Sequence, residues 1–128
     1  MDRSREYDDR LMGTSFVEYK KVGFWSRDSF LASWLGTLMG EMQRLPVLEP
    51  WQESLMDHWQ AQSTADGGVM WLGLDEFLND DERRDCILSM AYSALPRSDE
   101  KARRTGELFV ALLAGKLRTT PSSPIDYL

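Results

Sequence analysis

The stretch "GFWSRDSFLASWLGTLMGEMQRL", residues 23–45, sets the expected architecture. Phe30, Trp34, Leu38 and Met42 recur every fourth residue, and Leu31, Leu35 and Met39 form the row beside them. Positions separated by three or four residues share one face of a helix, so these seven side chains make a broad apolar stripe that must be covered to be stable in water. The stripe predicts a core-facing helix from Ser26 to Leu45. Ser26 is placed to cap it, and Asp28 to complement the positive end of the helix dipole. Pro46 and Pro50 then punctuate the chain, because a proline excludes its predecessor from helical geometry.

Working outward, Pro50 suits the first turn of a second helix, where its missing N–H costs nothing. Trp51, Leu55 and Trp59 give that helix a face with Met56 beside it, and it is expected to end near Ser63. Asp66, Gly67 and Gly68 signal a turn, and "VMWLG" (69–73) is an apolar segment that periodicity does not assign, with an extended, buried path as one option. In "LDEFLNDDERRDCILSMAYSALPR" (74–97), Asp75 can cap a short helical turn. Asn79 followed by Glu82 resembles a capping box for a longer helix, whose buried face is Cys86, Ile87, Met90, Ala91, Ala94 and Leu95. Pro96 ends it. The last helix takes Ser98 as cap and Asp99 and Glu100 in its first turn. Its inner face is Leu108, Phe109, Leu112, Leu113 and Leu117, with Lys116 and Arg118 at its negative end. Residues 1–22 read as an irregular or weakly helical arm and residues 119–128 as a tail, with Ile125, Tyr127 and Leu128 able to tuck against the body. The expected fold is all-α, a single-domain bundle over 1–128 of about four main helices plus short helical turns.

The 128 residues suffice for one domain with its own core, and 42% hydrophobic with 28% charged residues is ordinary for a globular chain. One cysteine, Cys86, offers no internal disulfide, and the opening "MDRSREYDDR" lacks the apolar run of a secretory signal, so a reducing cytoplasm is the expected compartment. No apolar run is long enough to cross a bilayer. The net charge of −6 is unevenly placed. Residues 49–95 hold ten acids against Arg83 and Arg84 alone, a net −8, while residues 96–128 are net +2. Such a field disfavours nucleic acid and favours a basic partner.

Motifs for catalysis are sparse. His58 has Glu53, Asp57 and Gln62 on nearby turns, but the Glu-x-x-His spacing of helical metal sites is absent, and a solvated surface histidine is the simpler reading. Cys86 beside Ile87 reads as a small hydrophobe. Gly67, Gly68 and Gly73 fit no phosphate-binding pattern. A helix-turn-helix around Pro96 would carry Asp80, Asp81, Glu82 and Asp85 towards phosphate, which opposes DNA binding. No metal or cofactor is expected.

The remaining signal is "LDEFLNDDERRD" (74–85), six carboxylates interleaved with Leu74, Phe77 and Leu78. These acids complement helix N-termini, and they can also steer a basic protein that an exposed aromatic then anchors. Trp34 is assigned to the core. Trp51, Trp59 and Trp71 flank the acidic region and are the candidates for partial exposure. Trp71, Asp75, Glu76, Asp80, Asp81 and Asp85 are therefore the candidate partner-binding residues. In size, acidity and lack of a catalytic constellation the chain is similar in kind to the small acidic immunity proteins that bacteria pair with toxins. That likeness implies a non-catalytic module that neutralises or regulates a basic protein. The alternatives are an adaptor or chaperone-like homodimer covering apolar surface on a partner, and an enzyme using His58 with its acidic neighbours.

Overall fold

A computed structural model describes residues 13–64 and 70–117. Two strands open the described chain, β1 (Thr14–Tyr19) and β2 (Val22–Arg27), followed by α1 (Asp28–Met42), α2 (Pro50–Thr64), α3 (Leu74–Phe77), α4 (Asp81–Ala94) and α5 (Glu100–Leu113). A 3₁₀ turn at Leu95–Arg97 joins α4 to α5. The fold is mostly helical, yet the all-α expectation is corrected by a small antiparallel sheet.

That sheet occupies part of the segment read as an arm. Thr14 pairs with Arg27, Phe16 with Trp25 and Tyr19 with Val22, so Lys20 and Lys21 alone make the turn. Both have positive φ, 53° and 69°. A two-residue hairpin turn of this hand needs positive φ at both positions and is normally built from Asn-Gly or Asp-Gly, since left-handed geometry costs about 1–2 kcal/mol for a side chain with a Cβ. Nothing in "YKKV" advertises such a turn. It is held from outside: the Lys20 backbone N–H donates to Asp75 Oδ1 at 3.0 Å. Alternation then divides the hairpin. Val17, Tyr19 and Phe24 enter the core, while Phe16, Glu18 and Trp25 lie on the outer face. Residues 1–12 of the expected arm lie outside the described residues, as do the expected turn at 66–68 and the tail at 119–128.

The first helix begins at Asp28 rather than Ser26. Ser26 belongs to β2, and its hydroxyl shares a hydrogen bond with the Thr105 hydroxyl at 2.8 Å inside the protein. Arg27 takes the cap position without a side-chain cap bond. The work of fixing this corner falls to Ser15, whose hydroxyl donates to Asp28 Oδ1 at 2.5 Å and accepts from the Met70 N–H at 2.8 Å. One buried hydroxyl thus ties β1, the start of α1 and the segment before α3 together. The stripe itself is rotated slightly from expectation: Leu31, Trp34, Leu35, Leu38 and Met42 are buried and Phe30 is half-buried, and the helix stops at Met42.

α1 packs against α2, α4 and α5. The Trp34 and Phe109 rings meet at 5.7 Å between centroids and Trp59 lies 6.4 Å from Phe109, so three aromatics from three helices occupy the centre. Trp59 is fully buried, and its indole N–H donates to the Leu72 carbonyl at 3.0 Å, which corrects the expectation of partial exposure. A tryptophan can go inside when its N–H finds an acceptor. Trp51, by contrast, is half-buried.

Three further caps differ from their expected residues. Asp80, not Asn79, caps α4, its side chain accepting from the Arg83 N–H at 2.8 Å. Asp99, not Ser98, caps α5 through the Ala102 N–H, and the Ser98 hydroxyl instead donates to the Leu95 carbonyl. Gly73, at φ 66°, precedes α3, so Asp75 sits within its first turn. On α4 only Ile87, Ala91 and Ala94 are buried; Cys86 and Met90 are half-buried, as is Leu95, which falls in the 3₁₀ turn just beyond the helix. On α5 the expected inner face is buried apart from the half-buried Leu117, which, with Lys116, falls beyond the helix end. Arg118 is outside the described residues.

Candidate functional site

The segment Met70–Gly73 crosses the surface with its side chains alternating. Met70 and Leu72 are buried, and Trp71 between them is 54% exposed. Besides Trp59, which holds the Leu72 carbonyl, two residues of α2 keep this segment in place. Gln62 Oε1 accepts from the Trp71 N–H at 2.8 Å, and His58 Nε2 is hydrogen-bonded to the Trp71 carbonyl at 2.7 Å. The imidazole also meets the Trp71 ring edge-on at 5.2 Å between centroids and lies 5.5 Å from the Phe77 ring. His58 therefore braces an aromatic, a contact for which its sequence neighbourhood carried no signal. Among the described residues, no group of three or more His, Cys, Asp or Glu side chains is arranged to hold a metal.

Trp71 forms one wall of a cleft of about 200 Å³. Phe16 and Leu74 contribute apolar surface, and Glu18, Asp75 and Glu76 contribute carboxylates. Phe16 and Glu18 reach the site because they alternate on the outer face of β1. Their part could not be read from a sequence that gave no sign of the hairpin.

The candidate partner-binding residues do not form one patch. Trp71, Asp75 and Glu76 come together in this cleft, although Asp75 also holds the Lys20 N–H. Asp80 lies in a second cleft of about 300 Å³, with Glu49, Trp51, Glu82, Arg83 and Cys86. Asp81 and Asp85 both pair with Arg84, at 3.7 and 3.0 Å.

The second cleft is occupied by a cation of the chain itself. The Arg83 guanidinium carbon stands 5.0 Å from the Trp51 ring centre, and the Trp51 N–H donates to Glu49 Oε2 at 3.0 Å. Below it the Gln52 amide donates to Cys86 Sγ at 3.4 Å. Burial, chiefly, pushes the Cys86 thiol up; the nearby Glu49 and Glu82 push it the same way, and the Gln52 bond opposes them. A thiol so raised is a poor nucleophile at neutral pH.

Among the described residues no helix is long and apolar enough to cross a membrane. No family model matches the chain, and neither a curated protein nor a solved structure matches it.

Proposed function

We propose that this protein is a non-catalytic binding module that docks a basic protein and neutralises or regulates it, in the manner of an immunity protein. The observation that carries the reading is the Trp71 cleft. A large aromatic is left half in water on a braced backbone, beside three carboxylates, Glu18, Asp75 and Glu76, with no lysine or arginine among the described residues lining the cleft. Exposed tryptophans are enriched among the anchors that dominate binding energy, and one-signed charge around an anchor accelerates encounter with an oppositely charged partner.

The test is association kinetics with the protein that co-purifies from native cells. Screening shortens from about 10 Å at 0.1 M salt to about 3 Å at 1 M. The association rate is expected to fall steeply across that range, and Glu18→Lys and Glu76→Lys are expected to slow association at low salt with little change in dissociation. Trp71→Ala is expected to cost about 2 kcal/mol or more in affinity, mainly through faster dissociation. Rates indifferent to salt and to both reversals would remove the acidic cleft as the docking surface.

A further inference from the structure

The two tryptophan clefts are built from the same parts, with one difference. Around Trp51 stand Glu49, Asp80 and Glu82, and the chain supplies Arg83 to lie over the ring. Around Trp71 stand Glu18, Asp75 and Glu76, and among the described residues no cation lines the cleft. Lys20 contributes its backbone N–H to Asp75, but its ammonium lies over the Tyr19 ring at 5.3 Å. Among the described residues neither Glu18 nor Asp75 nor Glu76 has an ion-pair partner. The molecule therefore shows, at Trp51, how such a cleft is filled, and no described residue fills the equivalent place at Trp71.

We infer that the Trp71 cleft receives an arginine side chain of the docked partner, the guanidinium lying against the indole and bonding to Glu18 and Glu76. This rests on the reading of the protein as a module for a basic partner and specifies what that partner inserts. Size agrees. At about 200 Å³ the cleft is below the roughly 300–1,000 Å³ usual for small-molecule sites, which suits one long side chain better than a free ligand. Chemistry selects arginine over lysine. A guanidinium is planar and weakly hydrated, stacks on aromatic faces and bonds carboxylates through a fork, whereas an ammonium is a strongly hydrated point charge. The receptor is also set in advance. The Trp71 backbone is bonded to Gln62 and His58, and Gly73 turns the chain into α3 behind it, so little ordering is left for the moment of binding.

The experiment titrates the isotope-labelled full chain with three blocked tripeptides, Gly-Arg-Gly, Gly-Lys-Gly and Gly-citrulline-Gly, followed by the indole N–H and backbone amide resonances. The arginine peptide is expected to move the Trp71 indole signal and the amides of Glu18 and Glu76. Its midpoint should be about twofold or more below that of the lysine peptide, a factor of the size that an exposed cation–π contact supplies. The neutral citrulline peptide should move none of them. Glu76→Gln, an exposed change, should weaken the arginine response, and Trp71→Ala should abolish it while the remaining spectrum keeps its dispersion. Equal midpoints for arginine and lysine would overturn the arginine assignment and leave the acidic docking reading standing. Signals at Trp71 that ignore all three peptides, together with salt-independent association of the native partner, would overturn both. Shifts confined to the Trp51 cleft would also overturn the inference.

Discussion

Gly106 lies directly beneath the indole of Trp34: a Cβ at that position would stand 2.6 Å from the ring carbon Cζ3 and 2.9 Å from Leu95 Cδ2. The close crossing of α1 and α5 depends on that missing methyl group. Glycine inside a helix ordinarily costs about 0.5–1 kcal/mol relative to alanine. Here the overpacking that alanine would cause, typically 1–3 kcal/mol, is the larger effect. Gly106→Ala is expected to lower stability by about 1 kcal/mol or more in urea unfolding. A gain in stability would show that the helices part easily.

Trp34 itself carries a buried indole N–H with no acceptor among the described residues. Truncation to alanine should cost about 3–5 kcal/mol, as for other large core residues. Trp34→Phe keeps a ring against Phe109 and removes a donor whose burial without a partner costs about 1–3 kcal/mol, so it should cost much less. Equal losses for the two variants would show that the N–H is satisfied.

The Lys20–Lys21 turn stores strain that can be released. Replacing the pair by Asn-Gly relieves about 1–2 kcal/mol of left-handed backbone at the glycine and adds about 0.5–1 kcal/mol of unfolded-state entropy to be lost there. The double variant Lys20→Asn/Lys21→Gly should therefore raise stability by about 1 kcal/mol, read as an upward shift in Tm. Asp75→Ala should lower it by about 1 kcal/mol through the lost acceptor of the Lys20 N–H. This double role makes Glu76 the cleaner position for binding tests.

Helix α4 distinguishes its two candidate caps. Asp80→Ala removes the acceptor of the Arg83 N–H and should cost about 1 kcal/mol, whereas Asn79→Ala should be nearly silent. Paired thermal melts would settle the matter, with the reverse order counting against the geometry at Asp80.

Cys86 sets an alkaline dependence. Because burial raises its folded-state pKa, the native thiol keeps its proton where the unfolded thiol has lost it. Its contribution to stability is fully present below the unfolded pKa and is lost as the pH rises through the folded one. Stability should decline over that alkaline window, and Cys86→Ser should flatten the decline. Alkylation of the native protein should lag a free thiol at neutral pH, and Glu82→Gln should move its onset to lower pH.

The helical part of this protein is legible in its sequence. The apolar recurrences at Trp34–Leu38–Met42, Leu55–Trp59, Ile87–Ala91 and Leu108–Leu112 each report a face, and the structure places helices there within a few residues of the expected bounds. Periodicity is a local property, and these segments are long enough to display it. Which of several neighbouring polar residues caps a helix is decided by a rotation of a fraction of a turn, so Asp80 and Asp99 displaced Asn79 and Ser98. The hairpin was decided elsewhere. Its turn contradicts local preference, and its register is held by Asp75, by Met70 and by the Ser26–Thr105 bond, contacts 55 to 79 residues away along the chain. The same is true of the cleft. Acid density marked residues 74–85 as a region of interest, but Phe16 and Glu18 join Trp71 and Glu76 only after β1 is folded against α3, and Trp59 leaves the surface only because the Leu72 carbonyl receives its N–H. Sequence alone determined where the helices run and where the negative charge accumulates. Tertiary structure alone decided which tryptophan meets water and which carboxylates surround it, because those choices depend on partners distant in the chain.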